Sequence, residues 1–115
     1  MNNVYDVHMY AFHETPVIRK VDITPGLGEV QPEQNELLEL IFKYGQNDFQ
    51  PVSGRYSVSV GDVVELHDGS LHMVGGVGFF PISRETMEKL PPNISRKVIF
   101  PKNEEDLLEQ LERRI

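Results

Sequence analysis

The sequence predicts an α+β fold: a small antiparallel sheet with one packed central helix, a β-hairpin and a C-terminal helix. Three observations carry this. Polar and apolar residues alternate from Val4 to Phe12 and from Val17 to Ile23, as strands covered on one side require. Asp68-Gly69 sits between two further alternating runs, Val63 to His67 and Ser70 to Val74, and is a hairpin turn signal. Apolar residues recur at helical spacing twice, at Leu37, Leu38, Ile41 and Tyr44 and at Leu107, Leu108, Leu111 and Ile115.

In order along the chain, Thr15-Pro16 ends the first strand and Thr24-Pro25-Gly26 ends the second. Leu27 to Pro32 is a loop, and a helix begins near Glu33 or Asn35 and runs to Tyr44, with Gly45 as a left-handed C-terminal cap. Gln46 to Arg55 is polar, contains Pro51 and Gly54, and reads as a connecting loop long enough to be a candidate for function. A two-residue type I′ turn at Asp68-Gly69 pairs His67 with Ser70, Leu66 with Leu71, Glu65 with His72 and Val64 with Met73. Val64, Leu66, Leu71 and Met73 then face the core, and Glu65, His67, Ser70 and His72 form a polar face. Phe79 to Ile82 is a short strand placed at an edge by Pro81. Ser83 caps a short helix, with Ile82 and Met87 in the positions of a hydrophobic staple, and Pro91-Pro92 forbids its continuation beyond Leu90. Asn103 caps the last helix, whose first turn carries Glu104, Glu105 and Asp106 and whose end carries Arg113 and Arg114. That helix packs either on the domain or on a partner. The sheet of Val4–Phe12, Val17–Ile23, Val63–His67, Ser70–Val74 and Phe79–Ile82 is expected to be covered on one face by the Asn35–Tyr44 helix.

A chain of 115 residues with 39% hydrophobic content suits one domain, residues 1–115, that buries roughly two-thirds of its unfolded surface. The absence of cysteine excludes disulfides, thiolate metal sites and a cysteine nucleophile. The formal charge of −7 means that a nucleic-acid or anionic-membrane partner has to be held by a local patch. The N-terminal segment has no basic n-region, and no run reaches the length of a membrane span. A cytoplasmic protein with no membrane partner is expected.

The strongest catalytic or metal-binding constellation is the polar hairpin face, where Glu65 and His72 are opposed and His67 is diagonal to His72. The simpler reading is that alternation always delivers a polar face and that cross-strand Glu-His pairs are ordinary surface contacts. No metal or other cofactor is assigned. His8 and His13 have no position near this face that the sequence defines. Gly26-Leu27-Gly28 lacks the third glycine of a dinucleotide loop, and Gly75-Gly76-Val77-Gly78 is followed by Phe79-Phe80 where a phosphate loop has Lys and Ser or Thr. Those glycines suit bulges and tight connections. No serine lies in a Gly-x-Ser-x-Gly elbow. Arg96-Lys97 with Lys102, flanking Val98-Ile99-Phe100, suits contact with phosphates or an acidic protein patch, or else a solvated strand end.

The segment Ser57-Val58-Ser59-Val60-Gly61-Asp62-Val63-Val64-Glu65-Leu66, followed by a hairpin with Gly69, by His72-Met73-Val74 and by Val77-Gly78-Phe79, resembles the YodL-like group of small proteins encoded by phages and other mobile elements. The resemblance covers about residues 57 to 80. It implies genomic origin, supplies no catalytic residue, and does not require histidine at 67 or 72. Gly61 and Asp62 read as a turn into a strand, and Gly78 lets the backbone pass close to the core as Phe79 buries. With Asp68 and Gly69 these are structural residues.

With no nucleophile-base set, metal signature or phosphate loop, the leading expectation is a non-enzymatic accessory protein of a phage or mobile element that binds a bacterial cytoplasmic protein. One alternative is an acidic inhibitor that enters a nucleic-acid groove of a host defence enzyme through the Glu104–Glu112 face, with Glu105 and Glu109 as candidate contacts. A metal-dependent enzyme using the hairpin face is another. Leu108 and Leu111, with Leu107 and Ile115, also suit a partner or homodimer seam.

Overall fold

The computed structural model describes residues 3–11, 15, 17–29, 31–46 and 57–113. Phe12, His13, positions 47–55 of the predicted connecting loop, Arg114 and Ile115 fall outside them. Five strands, β1 (Val4–Met9), β2 (Val17–Asp22), β3 (Val63–Glu65), β4 (Leu71–Val74) and β5 (Phe79–Ile82), form one sheet in the order β2-β1-β3-β4-β5. Every neighbouring pair is antiparallel. The helices are α1 (Gln34–Tyr44), α2 (Arg84–Glu88) and α3 (Glu104–Glu112). The fold is therefore α+β, and none of the described helices is long and apolar enough to cross a membrane.

The sheet is covered on both faces, where the sequence suggested one. Leu38 and Ile41 of α1 pack on Val7, Met9, Val21, Val64, Leu66 and Val74. On the opposite face Met87 and Leu90 from the α2 region and Leu107 from α3 cover Val63, Leu71, Met73, Phe80 and Ile82. The short helix thus has two roles: Ser83 Oγ accepts the Thr86 amide at 3.1 Å while Met87 fills the second core. Glu104 of α3 accepts the Ser83 amide at 2.7 Å and joins the two helix starts, which holds its carboxyl below the usual range. The last helix packs on its own domain.

The hairpin register is shifted by one residue from the predicted one. Val63 pairs with Met73, Val64 with His72 and Glu65 with Leu71. The connection has three residues, His67-Asp68-Gly69, closed by the Leu66 amide on Ser70 O and the Gly69 amide on Leu66 O, each at 3.0 Å. A type I′ turn needs positive φ at both central residues, and here Gly69 alone has it, at 87°. Asp68 Oδ1 instead accepts the Ser70 amide and hydroxyl, at 2.9 and 2.6 Å, which draws the chain into the longer turn and keeps this carboxyl below its usual range. The strands accordingly stop at Glu65 and resume at Leu71.

Two smaller differences have local causes. β1 ends at Met9 because the next two amides, Tyr10 and Ala11, are both donated to Asp62 Oδ1 at 2.8 Å and not to a neighbouring strand. Gly45 has a right-handed φ of −80°, so its role is not a left-handed cap; a β-carbon there would collide with the Val58 side chain.

Candidate interaction surface

The register change disperses the predicted polar hairpin face. Side chains alternate across a sheet, so Glu65, level with Leu71, lies on the α2–α3 face, whereas His72, level with Val64, lies on the α1 face. His72 is 5% exposed, hydrogen-bonded at 3.0 Å to Ser70 Oγ, and burial lowers its pKa against the opposing pull of Asp68. His67 is turned away in the hairpin loop, where its ring stacks on Tyr5 with centroids 4.1 Å apart and its Nε2 meets Val4 O at 2.9 Å. Glu65, His67 and His72 therefore do not converge, and among the described residues no group of three or more His, Asp or Glu is placed to hold a metal ion.

Glu65 joins a different set. Asp6 and His8 of β1 lie on its face because Asp6 is level with Glu65 and His8 with Val63. His8 Nε2 is 2.9 Å from Glu65 Oε1, and Arg84 Nη2 approaches the same oxygen at 3.6 Å. An ionised carboxylate only accepts, so the Nε2 N–H donates in that bond. Lys20 and Asp6, 2.8 Å apart, extend the row to the sheet edge. A small cleft of about 230 Å³ next to it is shared by Asp6, Lys20, Glu65 and His67. This network ties β1, β2 and β3 to α2. Among the described residues, Glu65 is the side-chain partner of His8, and the arrangement is that of an ion-pair clamp.

Residues 57–80 build a second clamp. Asp62 is 1% exposed and accepts from Tyr10, Ala11 and Ser59 amides, each at 2.8 Å. Burial outweighs these bonds and pushes its carboxyl up to about 6. Gly61, at φ 101°, sits where a β-carbon would lie 2.7 Å from the Ile94 side chain. Gly78 O receives the Gly75 amide at 2.8 Å, and Phe79 meets Phe42 of α1 edge to face.

The glycine-rich turn that Gly78 closes supports the least expected feature. Residues 97–101 are irregular and form no strand end. They lie against this turn so closely that a β-carbon on Gly75 would sit 2.8 Å from Pro101 O and one on Gly76 2.6 Å from the Phe100 β-carbon. The Gly76 amide reaches Pro101 O at 3.3 Å. From α3, Gln110 accepts the Ile99 amide at 2.7 Å and donates to Ile99 O at 3.1 Å, and Asp106 accepts the Lys102 amide at 3.0 Å. All this holds a segment that buries Val98 and displays its two central side chains: Ile99 is 69% and Phe100 65% exposed, and Val77 on the facing turn is 96% exposed. Phe100 also has φ 35°, a left-handed backbone that is costly for a bulky side chain. Ile99, Phe100 and Lys102, with Asp106, Gln110 and Arg113, border a shallow depression of about 490 Å³.

Comparison with protein-family profiles, with curated proteins and with solved structures returns no match.

The remaining predicted residues separate into core and surface. Leu107 is fully buried and Leu111 packs partly against the second core, which removes both from a free seam. Glu105, Leu108 and Glu109 line the outward side of α3, where Glu109 pairs with Arg113. The sequence reading placed Ile99 and Phe100 beside the basic cluster without recognising their exposure. The available signal was the pairing of a glycine-rich turn with a Phe-Pro step, since glycines that receive another backbone have no side chain to cover what that backbone displays.

Proposed function

We propose that this chain is a non-enzymatic accessory protein, of the phage and mobile-element kind suggested by the resemblance over residues 57–80, and that it acts by binding another protein in the bacterial cytoplasm. One observation carries the reading: Ile99 and Phe100 are displayed in water while five hydrogen bonds, from Gln110, Asp106, Gly76 and Lys97, fix the segment around them. Among those five, the Lys97 amide reaches Ile94 O at 2.9 Å. Exposed apolar side chains on a pre-ordered backbone are what a protein anchor needs, because the entropy of ordering is already spent before the partner arrives.

The test compares capture from bacterial lysate by the tagged chain and by an Ile99→Ser/Phe100→Ser variant of equal stability. A protein retained by the first and lost by the second supports the reading. Equal retention, or turnover of a small molecule abolished by His8→Ala, refutes it. A second reading has its own support in the outward face of α3, where Glu105 and Glu109 leave the core-facing Leu107 behind them. An acidic helix of this kind suits a nucleic-acid groove, and inhibition that survives charge reversal at both glutamates rejects it.

A further inference from the structure

We infer that the partner of the Ile99–Phe100 tip is an acidic protein, one that receives these two side chains in an apolar socket rimmed by carboxylates. The inference rests on the binding reading above and adds the chemistry of the partner. Its observation is where the unneutralised positive charge lies. Among the described residues, Lys20 pairs with Asp6, Arg84 with Glu65, Lys89 with Glu85 and Arg113 with Glu109. Lys43 lies over the Tyr44 ring, Arg19 is buried and engaged, and Arg96 is engaged as well. Lys97 and Lys102 are the described cations left without a side-chain partner. They bracket Ile99 and Phe100 in the chain, and Lys102 borders the same depression as both apolar side chains.

In a molecule of charge −7, two unpaired lysines at one apolar tip are a local concentration of positive charge. An apolar centre with a charged rim is the arrangement in which the centre supplies affinity and the rim selects the partner and speeds encounter. An anionic membrane fits less well, because a broad charged surface meets the whole molecule's charge of −7, whereas a discrete socket engages the tip alone.

The experiment is a selection of random peptides displayed on phage, with the purified full-length chain as bait and Phe100→Gly as counter-bait. The glycine variant removes the anchor while relieving the left-handed backbone, so it keeps the fold, which circular dichroism verifies. The expected winners carry Leu, Ile or Phe among Asp and Glu. Their affinity falls about tenfold or more with Phe100→Gly and several-fold with Lys97→Glu/Lys102→Glu or with added salt. Tip-dependent peptides without an acidic bias overturn the acidic partner and leave the binding reading standing. Absence of any tip-dependent peptide overturns both. Phe100-dependent sedimentation with phosphatidylglycerol vesicles, and not with phosphatidylcholine vesicles, overturns both in favour of a lipid surface.

Discussion

Asp62 gives the sharpest physical test of the fold. Its carboxylate is buried and meets three amides, two forces that move its pKa in opposite directions, and burial wins, placing it at about 6 against an ordinary value of 3.8. A raised acid pKa means that the folded state holds its proton where the unfolded state has released it. Stability from this group therefore rises as the pH falls from 7 through 6 and levels off below 3.8. At about 1.4 kcal/mol per unit, the gain is roughly 1 kcal/mol by pH 5 and about 2 kcal/mol by pH 4. Other groups titrate too, so the quantity to measure is the difference between the wild type and Asp62→Asn, which cannot ionise. Urea unfolding followed by far-ultraviolet circular dichroism at pH 7, 6, 5 and 4 provides it. The expected result is a wild type that gains on the variant by those amounts, a relative shift in urea midpoint of about 0.3–1 M per kcal/mol. Parallel profiles, or a wild type that loses ground in acid, would refute the reasoning and mean that the three amides outweigh burial. Asp62→Ala, which leaves those amides without an acceptor, should cost about 3 kcal/mol or more at pH 7.

Leu107→Ala, opening a cavity under α3, should cost roughly 3 kcal/mol in chemical denaturation, whereas Leu108→Ala on the outward side stays within about 0.5 kcal/mol. Equal effects would mean that α3 is not docked by Leu107. Gly69→Ala forces a β-carbon into left-handed backbone and should cost about 1 kcal/mol, read by the urea midpoint. For His72 the burial-lowered pKa predicts the opposite sign to Asp62: the unfolded chain takes up the proton first, so stability is lost as the pH falls below 6.5 and the loss stops below the folded value. A ring titration by NMR with its midpoint above 6.5 would contradict this. Phe100→Gly should leave thermal stability within about 1 kcal/mol, since relief of the left-handed backbone offsets the lost partial burial of the ring; a much larger loss would show that Phe100 supports the fold.

Local chemistry determined much of this protein. The two long alternating strands, the three helices with their Ser83 and Asn103 caps, and a hairpin around Asp68-Gly69 all follow from patterns a few residues long, because hydrogen-bonding caps, glycine conformations and side-chain periodicity act within one or two turns. Register did not follow. Val63, Val64, Leu71 and Met73 are all buried, with sheet faces covered on both sides, so no alternation in the sequence distinguishes one pairing from its one-residue slip. The Asp68–Ser70 bonds and the two helical layers decided it, and with it the separation of Glu65 from His72. In the same way, the exposure of Ile99 and Phe100 depends on Gln110 reaching across from α3 and on a glycine turn drawn from β4–β5. These are contacts between segments distant in the chain, and only the packed structure specifies them.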